Sequence, residues 1–141
     1  MTREQVSLPA VRAGKRVASH VRFTTGDVCV VEAVIGDDLD VRGEGPDLFE
    51  AIVSARRVLE ASSVMIACNG SLKDVFPSQM LRQGSSGRFA YVLTIPRSAA
   101  GPETVDIFAP APASAELASV DEQRAWFDRW RDSGAGTGAS P

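Results

Sequence analysis

Alternating hydrophobic and polar positions predict three short strands near the start of the chain. The longest run spans residues 28–35, where every second residue from Cys29 onwards is apolar and shares one face. The other face of this run is also mostly apolar, so we expect the strand to lie in the middle of a sheet. A shorter β-rich run over residues 20–23 precedes it across a Gly-Asp turn, and residues 39–42 alternate with one wet face.

Two helices are predicted from capping residues and from apolar spacing. Asp47 can accept a backbone hydrogen bond as an N-cap, with Glu50 three residues further on. The apolar stripe that follows has helical spacing and consists of Leu48, Ile52, Ala55 and Leu59. Ser119 and Glu122 form the second helix start, a full S-x-x-E capping box. That helix carries Trp126 and Trp130 on one face, which we expect to dock it on the sheet, and Phe127 further round. The alternative is that the sheet buries only one flank of the helix and leaves an aromatic residue available for a partner.

The remaining apolar runs complete an α+β fold. Three of them are typical of strands, namely residues 64–68, 89–95 and 104–108. The predicted order is therefore β-β-β-α-β-β-β-α. Because the strands come in consecutive groups, we expect a two-layer sandwich with two helices on a mainly antiparallel sheet of about five to six strands. The single domain should cover residues 18–132, between a flexible N-terminal arm over 1–17 and a disordered tail over 133–141.

Composition and charge narrow the classes of function. A chain of 141 residues with 44% hydrophobic and 23% charged residues has the size and balance of one globular domain. The net charge of −3 argues against a nucleic-acid partner. No apolar run approaches the ~20 residues of a membrane span, and residues 1–16 lack the apolar stretch of a secretory signal. The sequence therefore predicts a cytoplasmic protein without a membrane partner, whose Cys29 and Cys68 are buried reduced thiols.

Several segments between residues 45 and 123 form a distinctive set. They are Gly45-Pro46-Asp47-Leu48-Phe49-Glu50-Ala51, Arg56-Arg57-Val58-Leu59-Glu60, Cys68-Asn69-Gly70, Phe76-Pro77-Ser78-Gln79-Met80, Tyr91-Val92-Leu93, Val105-Asp106-Ile107-Phe108 and Glu122-Gln123. Together they resemble a group of small uncharacterised cytoplasmic α+β proteins of high-GC Gram-positive bacteria that has no established activity. The resemblance covers roughly residues 40–131. It implies a self-standing cytoplasmic domain and carries no catalytic residue over to this chain.

The segment over residues 71–88 is the predicted working surface. Long loops in small domains are usually functional, and this one combines apolar residues with a short helical turn after Pro77. Its candidate binding residues are Lys73, Ser78, Gln79, Arg82 and Arg88. Their positive charge on a net-negative protein would steer an acidic partner or hold a small anionic ligand. Replacing Arg82 and Arg88 with alanine is accordingly expected to weaken partner binding and to leave the unfolding midpoint almost unchanged.

Cys68 is the weak candidate for covalent chemistry. It ends an apolar run beside the 71–88 segment, where a basic neighbour such as Lys73 would favour the nucleophilic thiolate. The sequence favours the alternative that Cys68 is a small buried hydrophobic residue. His20 and Asp74 are residue types that could serve as base and orienting group, but no spacing in the sequence supports such a trio.

No metal site and no cofactor are predicted. The acidic residues within 37–40 are typical of a solvated turn, and the glycine-containing stretch over 43–45 matches no phosphate-binding motif. The sequence therefore favours a non-enzymatic binding or accessory domain that contacts a protein partner, or a second copy of itself, through the 71–88 segment. The alternative is a small thiol-dependent enzyme or an anionic-ligand-binding protein that uses Cys68 and the basic residues of that segment.

Overall fold

The larger of two antiparallel sheets is built from the first half of the chain. The computed structural model describes residues 2–134. Four consecutive strands are followed by a helix and a fifth strand: β1 (Arg3–Arg12), β2 (Lys15–Thr24), β3 (Cys29–Ile35), β4 (Leu39–Gly45), α1 (Leu48–Ala61) and β5 (Val64–Ile66). The strand order across the sheet is β4-β3-β2-β1-β5. Every neighbouring pair is antiparallel, and β3 lies inside the sheet as predicted.

The second half of the chain forms a smaller sheet with two helices. A 3-10 turn over Asn69–Ser71 leads into β6 (Val75–Phe76), α2 (Gln79–Gly84), β7 (Phe89–Val92), β8 (Glu103–Asp106) and α3 (Val120–Ser133). The three strands lie in the order β6-β7-β8, again antiparallel. Strand β7 is the central strand of this small sheet and pairs with both β6 and β8.

Helix α1 covers the inner face of the larger sheet. The carboxylate of Asp47 accepts from the backbone N–H of Glu50 at 2.8 Å, which confirms the predicted N-cap. The predicted stripe is buried, with Ile52 and Leu59 fully inaccessible. A side chain at Gly43 of β4 would collide with the backbone of α1, so the helix lies directly against that strand. Close backbone approach of this kind is the reason for glycine at position 43.

The α+β class and the antiparallel pairing are confirmed, whereas the number and order of elements differ from the prediction. The structure has eight strands in two sheets and three helices among residues 2–134. The predicted order omitted β1, β6 and α2. The last two lie in the 71–88 segment, which is therefore not a loop. Ser78 begins α2 as its N-cap, and its hydroxyl accepts from the N–H of Leu81 at 3.0 Å.

The predicted flexible arm over residues 1–17 is wrong for most of its length. Arg3–Arg12 pairs with β2 along all ten of its residues. Pro9 suggested a break, but its carbonyl accepts from the N–H of Ala67, on the side away from β2. Because N–H and C=O of one strand residue point to the same side, the missing N–H of Pro9 faces the short strand β5, beyond the last paired residues. The ladder with β2 is thus unaffected.

Helix α3 docks through its aromatic residues and ends close to the predicted boundary. Its capping box, Ser119 with Glu122, is present in both directions. Phe127 and Trp130 are buried, and Trp126 is partly buried against the same core. Of the predicted disordered tail over 133–141, Ser133 is the last helical residue and 134 is the C-cap. Residues 135–141 lie outside the described part of the chain.

Candidate functional site

A cleft of about 630 Å³ opens on one side of the small sheet. Its floor comes from β7 and the residues that follow it, and a loop over residues 97–102 forms one wall. Two helices supply single residues from opposite directions, Met80 from α2 and Trp130 from α3. The remaining lining residues are Tyr91, Val92, Leu93, Thr94, Arg97, Ser98, Gly101, Pro102 and Glu103. Its volume lies within the range of ligand-binding clefts, roughly 300–1,000 Å³.

A chain of aromatic rings fixes the position of Trp130. The ring of Phe76 stacks on that of Phe127 at 3.9 Å between centroids, and it contacts Phe49 of α1 edge-on at 5.0 Å. Phe127 in turn lies 5.9 Å from the ring of Trp130. The guanidinium of Arg97 covers the Trp130 ring at 3.8 Å and donates to the Trp130 carbonyl at 3.5 Å. The wall of the cleft is therefore held by contacts that run back to the main core.

The rim of the cleft carries exposed apolar side chains. Met80 is 68% exposed, and Ile95, which directly follows the lining residue Thr94, is 42% exposed. These are two of the five large hydrophobic residues with exposed side chains between residues 2 and 134. Apolar surface that clusters around a cleft is typical of an interaction site.

Arg82 of the predicted binding set is neutralised inside the protein. Its Nη1 donates to Asp47 at 3.0 Å and to Glu50 at 2.9 Å, and its side chain is only 19% exposed. The guanidinium also lies over the rings of Phe49 and Phe76, at 5.2 and 5.6 Å from their centroids. Arg82 therefore fastens α2 to the start of α1, and its charge is already balanced by two acids.

Arg88 has a similar internal role. It pairs with Glu4 of β1 and, at 3.2 Å, with Asp106 of β8. Its guanidinium lies over the ring of Phe23 at 5.2 Å from the centroid. The side chain thus joins the two sheets. The positive patch that was expected from Arg82 and Arg88 is cancelled by carboxylates far away in the sequence, so these two residues give no ground for an acidic partner or an anionic ligand.

The other three predicted binding residues do not gather at one place. Ser78 is buried, where it caps α2. Lys73 and Gln79 are exposed, but neither lines the cleft. The residue of the 71–88 segment that does line it is Met80, which sequence analysis counted only as part of the segment's apolar content. Met80 lies in the first turn of α2 and lines the cleft only because β7 lies beside it, which the local sequence does not indicate.

Cys68 lies in an environment that opposes reactivity. Its side chain is fully buried, and burial raises the pKa of the thiol above its usual value. The hydroxyl of Ser71, 3.6 Å away, and the charge of Arg56 only partly offset that effect. His20 lies on the outer face of the larger sheet, where its Nδ1 is 3.1 Å from the Ser7 hydroxyl. The structure therefore does not bring the histidine to the thiol.

Arg56 of α1 forms a buried junction that the sequence did not reveal. Its guanidinium donates to the carbonyls of Gly70 and Ala118, each at 2.9 Å, and to Oε1 of Gln123 at 2.7 Å. Nε2 of Gln123, with its two N–H groups, lies 2.9 to 3.0 Å from three carbonyl oxygens, those of Gly70, Leu72 and Val75. Together the two side chains tie α1 and α3 to the segment over residues 70–75, which leads into β6 of the small sheet.

Comparisons with known proteins add no assignment. No protein-family model matches the chain, and no curated protein matches it. Among residues 2–134, no group of three or more histidine, cysteine, aspartate or glutamate side chains is arranged to hold a metal ion. None of the helices within the same range is long and apolar enough to cross a membrane.

Proposed function

We propose that this protein is a non-enzymatic cytoplasmic binding domain that takes an apolar side chain of a protein partner into the cleft between β7, α2 and α3. The observation that carries the proposal is the continuity between the cleft and its exposed apolar rim. Removing Met80 and Ile95 from water would add favourable free energy to binding, at about 25 cal/mol for each Å² of apolar surface covered.

A protein segment fits this surface better than a compact small molecule does. The cleft could hold a small ligand, but Ile95, which follows the lining residue Thr94, extends the apolar surface beyond the lining residues. A segment that places one side chain in the cleft can cover this rim with its neighbouring residues. Interfaces are organised in this way, with a large side chain in a pocket and a surrounding ring of contacts that excludes water.

The proposal keeps the predicted class of function, a protein-binding domain. It places the contact surface at the cleft and not along the whole 71–88 segment. The predicted contact residues of the 71–88 segment included Arg82 and Ser78, which the fold uses to place and fasten α2. The same helix then presents Met80 to the cleft. The thiol-dependent alternative is less well supported, because the buried Cys68 side chain is disfavoured as a thiolate and has no histidine beside it.

The test is a selection of displayed random peptides on the purified protein, followed by affinity measurement on the selected peptides. Met80→Glu places a charge on the rim of the cleft and should abolish binding of the selected peptides. Val58→Glu is the matched control, because Val58 is an exposed apolar residue of a helix, 50% accessible, that does not line the cleft. The control variant should bind as the wild-type protein does.

The intrinsic tryptophan fluorescence, measured in a Trp126→Phe background so that Trp130 is the one emitting indole, gives a second, independent readout. A peptide that enters the cleft changes the surroundings of this indole, so the emission should shift on titration in this background, with and without Val58→Glu. The proposal is wrong if no peptide is enriched, or if Met80→Glu and Val58→Glu bind the selected peptides equally well. Thermal unfolding of both variants verifies that each is folded.

A further inference from the structure

Glu103 is the one acidic residue among those that line the cleft. It begins β8 and lies directly opposite Val92 of β7 in the ladder, and both residues line the cleft. Its side chain is exposed. None of the ion pairs or side-chain hydrogen bonds within residues 2–134 involves its carboxylate. A carboxylate at an apolar site attracts a cation that arrives together with an apolar group.

Arg97 brings the opposite charge to the cleft, but it is placed differently. The Cζ atom of its guanidinium lies over the ring of Trp130, 3.8 Å from the centroid, and Nη2 donates to the Trp130 carbonyl. Arg97 is also half-buried, whereas Glu103 is open to solvent. The ring of Tyr91 adds a second attraction for a cation, because aromatic faces carry partial negative charge. The solvent-exposed charge in the cleft is therefore the negative charge of Glu103, which favours a positively charged group on a bound partner.

We infer that the cleft selects partner segments in which the apolar anchor is accompanied by lysine or arginine within two residues. This inference rests on the proposed function and specifies the partner. In an extended segment, each residue advances the chain by about 3.3 Å, so a basic side chain one or two positions from the anchor can reach the edge of the cleft. The preferred partner is thus basic, the reverse of the acidic partner expected from the 71–88 sequence.

The experiment repeats the random-peptide selection on three proteins in parallel. They are the wild-type protein, Glu103→Lys and Glu116→Lys, the last being a charge reversal at an exposed acid that does not line the cleft. Lysine and arginine should be enriched beside the anchor on the wild-type protein and on Glu116→Lys. On Glu103→Lys that enrichment should disappear or change to aspartate and glutamate. Basic peptides selected on the wild-type protein should bind Glu103→Lys about three- to tenfold more weakly.

Glu103→Gln separates loss of attraction from added repulsion. It should weaken the same peptides by a smaller factor, and the difference from wild type should shrink as salt is raised, because exposed charges are screened. If all three proteins select the same apolar anchors, and none enriches a charged residue beside the anchor, the inference is wrong but the proposed function is not contradicted. Enrichment of acidic residues on the wild-type protein would assign the preference to Arg97 and would also overturn it. If no apolar anchor is selected, the proposed function itself fails.

Discussion

The two sheets contain similar strand-forming residues but complete their cores to different extents. In the larger sheet, the inner faces of β2 and β3 and the stripe of α1 bury each other, and residues such as Val31 and Ile52 are completely inaccessible. The small sheet buries Ala90 and Val75 but leaves Met80, Ile95 and Phe89 in contact with water. We therefore expect the larger sheet to provide most of the stability of the fold, while the region of the small sheet carries the surface that we propose to be a binding site.

Charged side chains show the same division. The ion pairs of the larger sheet, such as Arg12 with Asp38 and Arg42 with Glu44, lie on its exposed periphery. Around the small sheet, Arg82 is instead partly buried against aromatic rings. A small sheet with few strands cannot bury a large apolar face, so directed hydrogen bonds from arginine replace part of that packing. Around the small sheet, ion pairs of arginine therefore accompany apolar side chains that stay exposed.

The sharpest test of this division compares two aliphatic truncations. Ile52→Ala, in the core under the larger sheet, should lower the free energy of unfolding by about 2–5 kcal/mol because it leaves a cavity. Met80→Ala removes a side chain of similar size from the rim of the cleft and should cost less than about 0.5 kcal/mol. Urea unfolding measures both values. If the two losses are equal, the core of the larger sheet is not the main source of stability.

Arg56 tests the connection between the two regions. Arg56→Met keeps most of the side-chain volume but leaves the Ala118 carbonyl and Oε1 of Gln123 without their donor. The expected loss is about 3 kcal/mol, since each buried unpaired acceptor costs about 1–3 kcal/mol and removing a desolvated charge returns part of this. Arg57→Met is the control, because Arg57 is exposed and makes one surface pair with Asp121. If Arg56→Met and Arg57→Met both lower the free energy of unfolding only slightly, the hydrogen bonds of Arg56 do not couple the larger sheet to the small sheet.

Arg82 is expected to contribute less to stability than Ile52 or Arg56. Arg82→Met should lower stability by about 1 kcal/mol, since it removes hydrogen bonds to Asp47 and Glu50 at a site that is still partly solvated. Arg42→Met, which breaks the exposed pair with Glu44, should change stability by less than about 0.5 kcal/mol. A loss of about 1 kcal/mol at Arg82 alone would contradict the expectation that replacing Arg82 and Arg88 together leaves the unfolding midpoint almost unchanged. If Arg82→Met unfolds at the wild-type temperature, that expectation holds and Arg82 does not stabilise the contact between α2 and α1.

Local signals made part of the fold predictable. The cap at Asp47 and the box formed by Ser119 and Glu122 are contained within four residues each, and both helices begin where these residues place them. The strand over Cys29–Ile35 was recognised from alternation alone. β1 was missed although Val6, Leu8 and Ala10 alternate with polar positions, because Pro9 weakened the pattern and the side to which its missing N–H points depends on β5.

The cleft could not be predicted because its residues come together only through tertiary contacts. Met80, Tyr91 and Trp130 belong to three elements, and nothing in their spacing indicates that they face one another. The same reasoning applies to Arg82, whose acidic partners lie 35 and 32 positions earlier. A basic residue in a presumed loop and a basic residue in an internal ion pair have the same local sequence, so charge alone could not tell a binding surface from a structural brace.

The place of β1 inside the larger sheet has a consequence for synthesis of the chain. Strands β1 to β4 follow one another and can pair as soon as they leave the ribosome, but β5, the other neighbour of β1, is separated from it by α1 and three strands. Until residue 66 has been translated, one edge of β1 is unpaired and open to strands of other nascent chains. Pro9 presents no N–H on that edge, so the residue that obscured the strand in the sequence also protects it from intermolecular pairing during translation.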